Sequence, residues 1–483
     1  MAGTEASRTS SPGWWGAAAL LVVGLVVVVV VLATRGETID PFAYEKGKRV
    51  RFEQAAAAGE SHLLYANSPG GASATARRVA ALEAPIRAAA AASGVEPGVL
   101  EGMVFLESGG RPDIVAGGDP AGAAGIAQIV ADTGQKLLGM HIDLKASRRL
   151  TTQIAAASKR GDAALVSKLE GQRRRIDERF DPPKALAATG RYLAYARPKL
   201  ASSDFAVASF HMGIGNLADV IRGYLGPKEN RLAAKIVRER KLTYAQLYFD
   251  STPFRHETAY RRLAGLGDNS NTYYWRVLAA RDIMDLYRRD PAEVTRLTAL
   301  AARYGSAEPV LHPPGTTEVF ADAAAVRRAR SRGVLVAVPN EPRRRHFAVA
   351  STASTAGSAP GLRPPALALL YYVADRVHAV SRAKAPLTVT ATVQDAATRH
   401  ALAQRHLVKP GYSASTTGYS FDIARRYASQ GQAEAFQAVL DRLQALNVIA
   451  WERRPDAIHI TVSERAQALR PLVRGAALSA DAY

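Results

Sequence analysis

VLEGMVFLESGG, residues 99–110, is followed at residues 122–129 by GAAGIAQI. Pro97 suits the first turn of a helix, with Glu96 close to its N-terminus, and Gly109-Gly110 supplies a stop. On such a helix Leu100, Met103 and Val104 lie seven, four and three residues before Glu107 and share its face. Glu107 is then an acid in an apolar stripe at the negative end of a helix dipole. Both circumstances disfavour the anion and raise the pKa. A carboxyl that stays protonated near neutral pH can act as a general acid. On the helix alone, a solvated or capping carboxylate is the competing reading. In the second stretch, Gly122 and Gly125 allow backbone to approach a ligand closely. Gln128 can both donate to and accept from hydroxyls or an amide.

The 483-residue chain is long enough for two or three domains. It contains no cysteine, which excludes disulfides and thiolate metal sites. Its formal net charge of +20 favours polyanionic partners such as anionic lipid or an acidic wall polymer. A generally arginine-rich composition would give the same charge. No basic helix with interleaved aromatics is present, so nucleic acid is not expected as a partner.

Residues 14–33 form an uncharged run of 20 residues that includes six consecutive valines at 26–31. At about 1.5 Å per residue, a helix of that length spans a hydrocarbon core of roughly 30 Å. The run is too long for the core of a cleaved signal peptide, and no clear small-x-small cleavage site follows it. The expectation is a single-pass signal anchor in a bacterial cytoplasmic membrane, after a cytoplasmic tail at 1–13. Arg8 precedes the span, whereas Arg35, Lys46, Lys48, Arg49 and Arg51 follow it. That bias argues for a cytoplasmic C-terminal portion, while the chemistry of Glu107 argues for an extracytoplasmic one. The latter is preferred here, because acids are interspersed among these basic residues.

Residues 34–77 read as a polar linker and 78–305 as a mainly α domain. Within the latter, Arg148–Arg179 forms a charged insert. From 306 to 483 the texture changes to α/β. Residues 333–338, 387–393 and 458–462 read as strands, and 365–380 and 434–446 as amphipathic helices. The expected fold class is thus multi-domain: an N-terminal transmembrane helix, a mainly α domain and an α+β domain.

Glu107-Ser108, then Gly122-Ala-Ala-Gly125-Ile126-Ala-Gln128, then Ala208-Ser-Phe210-His211-Met-Gly213 occur in the order of a known series. Residues 79–300 resemble the goose-type-lysozyme-like (SLT) domain of lytic transglycosylases. That family has Glu-Ser, Gly-Ala-x-Gly-Leu-x-Gln, Ala-Tyr-Asn-Ala-Gly and a late tyrosine. The resemblance implies cleavage of the MurNAc-GlcNAc β-1,4 bond of peptidoglycan, with Glu107 as general acid and then base. The muramyl 6-hydroxyl would attack its own anomeric carbon, leaving a 1,6-anhydromuramyl end. It further implies substrate contacts at Ser108, Gly125, Ile126, Gln128, Phe210, His211 and a late tyrosine. Tyr274 is the expected tyrosine, with Tyr260 as its rival. Phe210-His211 departs from the family's Tyr-Asn. Phenylalanine cannot make the hydrogen bond expected near the acid, and His211 is expected to contact the acetamido sugar in place of asparagine. A plain surface histidine is the alternative. Asp119 and Asp113 lie where goose-type lysozymes place acids that activate water, so hydrolysis of the same bond stays open. A non-catalytic wall-binding scaffold is a further alternative.

Residues 413–423 and 456–459 resemble the Ser-x-His-x-x-Gly-x-Ala-x-Asp and Glu-x-x-His motifs of zinc D-Ala-D-Ala carboxypeptidases and dipeptidases. Ser415 replaces the first histidine ligand, Asp422 and His459 remain, Asp456 takes the base position and Gln394 that of the substrate-binding arginine. A catalytic zinc needs three protein ligands and an open position. The resemblance therefore implies a degenerate domain with no cofactor, which packs or holds a stem peptide. The expected partners are peptidoglycan glycan strands, stem peptides and the membrane.

Overall fold

The computed structural model describes residues 38–304, 308–353 and 360–475. The expected membrane span at 14–33 and the tail before it lie outside these residues. Among the described residues, no helix is long and apolar enough to cross a membrane. The fold class is corrected accordingly: a mostly helical body carrying a small β-sheet region.

The helix Pro97–Glu107 sits at the centre of the helical part. Glu96 has extended backbone, Pro97 opens the helix, and Gly109 and Gly110 (φ +61° and +73°) end it. The left-handed conformation suits glycine. Leu100, Met103, Val104 and Phe105 are buried, so the helix is enclosed on several sides. Gly102 lets Tyr273–Arg289 cross closely, because a Cβ there would lie 2.4 Å from the Val277 carbonyl oxygen. That crossing brings the start of the second helix to the end of the first.

In the described part of the expected linker at 34–77, helices Arg49–Asn67 and Ala72–Ala80 pack into the core. Arg49–Asn67 is a 19-residue helix packed along Tyr273–Arg289. Its Ala55-Ala-Ala-Ala-Gly59 run is compositionally bland, but small side chains permit close packing. A Cβ on Gly59 would lie 2.5 Å from the Gln444 carbonyl oxygen in helix Gln430–Ala445. The charged insert forms two antiparallel helices, Leu144–Lys159 and Ala163–Ile176, with a small core of Leu150, Ala157 and Leu169.

In the C-terminal part, five strands order as Phe347–Val349, Leu387–Ala391, Ser420–Ala424, Ala457–Val462 and Ile449–Arg453. The first pair is parallel and the others antiparallel. The expected strand at 333–338 contributes only Val336–Ala337, paired outside this sheet with Gly361–Leu362. Helix Pro364–Ser381 is buried along most of its length. One continuous apolar core joins this sheet and its helices to the helices around Glu107. The area buried between the halves removes apolar surface from water, and Arg49–Asn67 supplies much of the shared contact.

Candidate active site

Glu107 is the last residue of its helix, and the side chain is largely withdrawn from solvent. Its carboxylate oxygen Oε1 accepts a hydrogen bond from the Tyr273 hydroxyl at 2.7 Å. Burial pushes the Glu107 carboxyl up to about 7, against the opposing pull of the Tyr273 hydroxyl and the Arg276 charge. Desolvation wins because it acts on the whole anion, whereas one neutral donor compensates a single oxygen. Tyr273 is itself 2% exposed, and burial beside Glu107 keeps its phenol firmly protonated. It is thus a permanent donor aimed at the acid.

The tyrosine at the acid is Tyr273, not the expected Tyr274. Adjacent helical residues diverge by about 100°, so only one of them can face Glu107. Tyr274 turns towards Arg49 and Asp204, lining a different cavity. Tyr260, the rival, lies on helix Glu257–Ala264 and lines a cavity against the C-terminal half. The pattern carried a usable signal. Tyr273, Val277, Ala280 and Met284 recur at helical spacing, and all four are buried.

Phe210 and His211 end the helix Ser203–Met212 and pack on Tyr273. The Phe210 and His211 rings stack on Tyr273 with centroids 6.5 Å and 5.1 Å away. Phe210 also meets Tyr192 edge-on at 5.2 Å. The Tyr192 hydroxyl is spent on the Ser209 carbonyl at 2.7 Å. His211 Nδ1 bonds the Ser270 hydroxyl at 2.7 Å, and burial lowers its pKa. A neutral imidazole therefore lies on the tyrosine that serves the acid, its outer face partly exposed.

The remaining expected contacts are mostly architectural. Ser108 is 2% exposed and donates back to the Val104 carbonyl at 3.3 Å. The stretch 122–129 forms a tiny hairpin, with Ala123–Ala124 paired to Ile129–Val130. Gly125 (φ +75°) is required by the chain rather than by a ligand: a Cβ there would lie 1.8 Å from the Arg179 carbonyl oxygen. Ile126 is fully buried. Gln128 takes a left-handed backbone (φ +49°) and donates to the Gly125 carbonyl at 2.8 Å. Arg179, which the sequence did not single out, clamps this hairpin. Wholly buried and paired with Asp177 at 2.7 Å, it donates to the Gly122 and Ile129 carbonyls.

The two acids considered for water activation are both engaged by arginine. Asp119 is exposed and held by Arg148 at 2.9 Å, which lowers its pKa. It also accepts from the Ala121 amide, as a turn residue does. Asp113 lies between Arg173 and Arg174 at 3.3 and 3.2 Å.

In the C-terminal half, Asp422 and His459 are neighbours across the sheet, but the third position belongs to Glu308. Asp422 bonds His459 Nδ1 at 2.5 Å, and Glu308 bonds Nε2. Thr461 donates to Glu308 at 3.1 Å, and Arg454 donates to Asp422 at 3.0 Å. Burial alone would depress His459, but its two carboxylate bonds raise its pKa. Glu308 is held down to about 2: burial opposes the fall, and the His459 bond outweighs it. A zinc ion does not fit this arrangement, since both ring nitrogens already face carboxylates. Among the described residues, no group of histidine and acidic side chains is placed to hold a metal. Ser415 bonds Ser413 at 2.8 Å, and Asp456 lies exposed in the turn between two strands. Gln394 sits near this region through its backbone N–H, which donates to the Ser415 carbonyl at 3.0 Å. Glu308 is far from this pair in sequence and outside either motif, so only packing reveals it.

No protein-family model matches the chain, and no curated protein matches it in sequence.

Proposed function

We propose that the chain cleaves the β-1,4 bond between MurNAc and GlcNAc of peptidoglycan glycan strands, with Glu107 as the sole general acid and base. The observation that carries this reading is a carboxyl raised to about 7 at a helix end, with the Tyr273 hydroxyl 2.7 Å away. Protonated Glu107 gives its proton to the leaving glycosidic oxygen. The resulting carboxylate is stabilised by Tyr273 and takes a proton from the muramyl 6-hydroxyl, which closes on its own anomeric carbon. Proton transfer of this kind contributes roughly 10²–10⁴-fold. The substrate supplies the nucleophile, so the effective concentration is high and no second acid is needed.

Ordinary glycosidases use a pair of carboxylates. The ion pairs that hold Asp119 and Asp113 favour the single-acid route over hydrolysis. The reading places the site outside the cytoplasm, where its substrate lies. Peptidoglycan incubated with the chain and resolved by mass spectrometry tests it. Anhydromuramyl ends are expected. Reducing ends would mean hydrolysis. Absence of any product, with the chain still sedimenting with the wall, would mean a binding scaffold.

A further inference from the structure

A cavity of about 300 Å³ lies between the helices around Glu107 and the C-terminal half. Tyr248 and Tyr260 line it from one side, and Gln437, Ala438 and Asp441 from the other. Asn271 also lines it. That volume is at the small end of ligand pockets, which run to roughly 300–1,000 Å³.

The polar groups around this cavity are underused. Among the described residues, the Tyr248 and Tyr260 hydroxyls and the Asn271 side-chain amide make no hydrogen bond within the protein. Asp441 accepts from Gln437 Nε2 at 2.7 Å through Oδ1, which leaves Oδ2 open. The walls between them are apolar, formed by Leu263 and Val380. Two hydroxyls, an amide and a carboxylate oxygen offer donors and acceptors in mixed order. Apolar walls with tyrosines suit the C–H face of a sugar ring, and the polar rim suits its hydroxyls. A peptide segment would need a longer groove, and the opposite charges of Asp441 and Arg442, which both line the cavity, give it no net preference for an ion of either sign.

The cavity is tied to the candidate active site by one short turn. Ser270–Thr272 carries Asn271 into the cavity, while Ser270 bonds His211 at 2.7 Å. Tyr273, the donor to Glu107, follows directly.

We infer that this cavity is a second saccharide-binding site, taking an N-acetylhexosamine ring of the glycan at a position formed jointly by the two halves. The choice of sugar rests on the glycan-cleaving reading; the cavity's preference for a neutral polyhydroxylated ring does not.

The test is calorimetric titration of the full chain carrying Glu107→Gln with chitobiose as the probe. Two binding events are expected, one beside residue 107 and one here. Ala438→Trp, which fills the cavity from a partly exposed position, should abolish one event and leave the other. Tyr260→Phe and Asp441→Asn, at partly exposed and exposed positions, should each weaken that same event roughly threefold to tenfold. Unchanged thermal midpoints establish that these variants are folded. Isotherms unaffected by all three changes would overturn the inference, whatever the cleavage assay gives. A single event abolished by Ala438→Trp would uphold this site and count against sugar binding beside residue 107. Two events with no cleavage by the parent chain would uphold it and sink the catalytic reading.

Discussion

Two buried clusters of titratable groups in this molecule are treated in opposite ways. Glu107 is withdrawn from water with one neutral donor for company, and its pKa rises to about 7. Around His459, Asp422 and Glu308 are withdrawn together with a cationic partner, and Glu308 falls to about 2. The residue types are similar; what differs is whether burial leaves a charge uncompensated. A carboxyl that is desolvated without a cation in contact is poised to trade its proton. A carboxylate locked on an imidazolium is stable in its charged form and has nothing to give. The first arrangement suits chemistry, and the second holds a sheet together.

The comparison breaks most visibly at the acid. Glu107→Gln should lower glycan cleavage roughly 10²–10⁴-fold while leaving wall binding, read as product release alongside co-sedimentation. The same change sharpens the contrast in stability. The Glu107 pKa rises from 4.5 to about 7 on folding, so the unfolded chain releases its proton first. The parent therefore loses stability as pH rises between those values, whereas Gln has no proton to lose. At pH 8 the variant should be the more stable by up to about 3 kcal/mol, with the gap closing below pH 5 in denaturant titrations.

His459→Gln should do the reverse. It leaves the largely buried Glu308 without its cation, whereas Asp422 keeps Arg454, and should destabilise the fold by up to about 3–5 kcal/mol, while the folded fraction cuts glycan as the parent does. A stable variant with impaired cleavage would show that the two clusters are one functional unit.

Smaller effects follow from the single donor. If Glu107 must be protonated, kcat/KM should fall as pH rises through about 7. Tyr273→Phe removes a donor that stabilises the anion, so the Glu107 pKa rises further and the fall moves to higher pH. A net hydrogen bond of about 0.5–1.5 kcal/mol corresponds to a shift of up to about one pH unit. A profile that stays in place would mean that Tyr273 positions substrate rather than tuning the acid. Tyr274→Phe, at the neighbouring residue facing Arg49 and Asp204, should leave the profile where it is.

Much of the acid's setting was legible along the chain. Pro97, the apolar positions at helical spacing and the double glycine define one helix with Glu107 at its end. These are local rules: a capped amphipathic segment reports its own geometry. The glycine stretch is legible as a place of close backbone approach, but what approaches is not. Gly125 is there because Arg179, more than 50 residues later, brings its carbonyl oxygen against it. The run at 55–59 looked like a spacer because small residues carry no signature of their own until a partner helix packs on them.

The sequence by itself determined where the acid helix starts and stops, that its last residue is a carboxyl in an apolar stripe, and that the C-terminal half contains strands. Tertiary structure alone decided that Tyr273 rather than Tyr274 faces the acid, that Glu308 completes the cluster at His459, and that both halves share one core. The reason is range. Helix periodicity and capping act over a few residues, whereas desolvation and ion pairing depend on which surfaces meet, and those surfaces come from segments more than 100 residues apart.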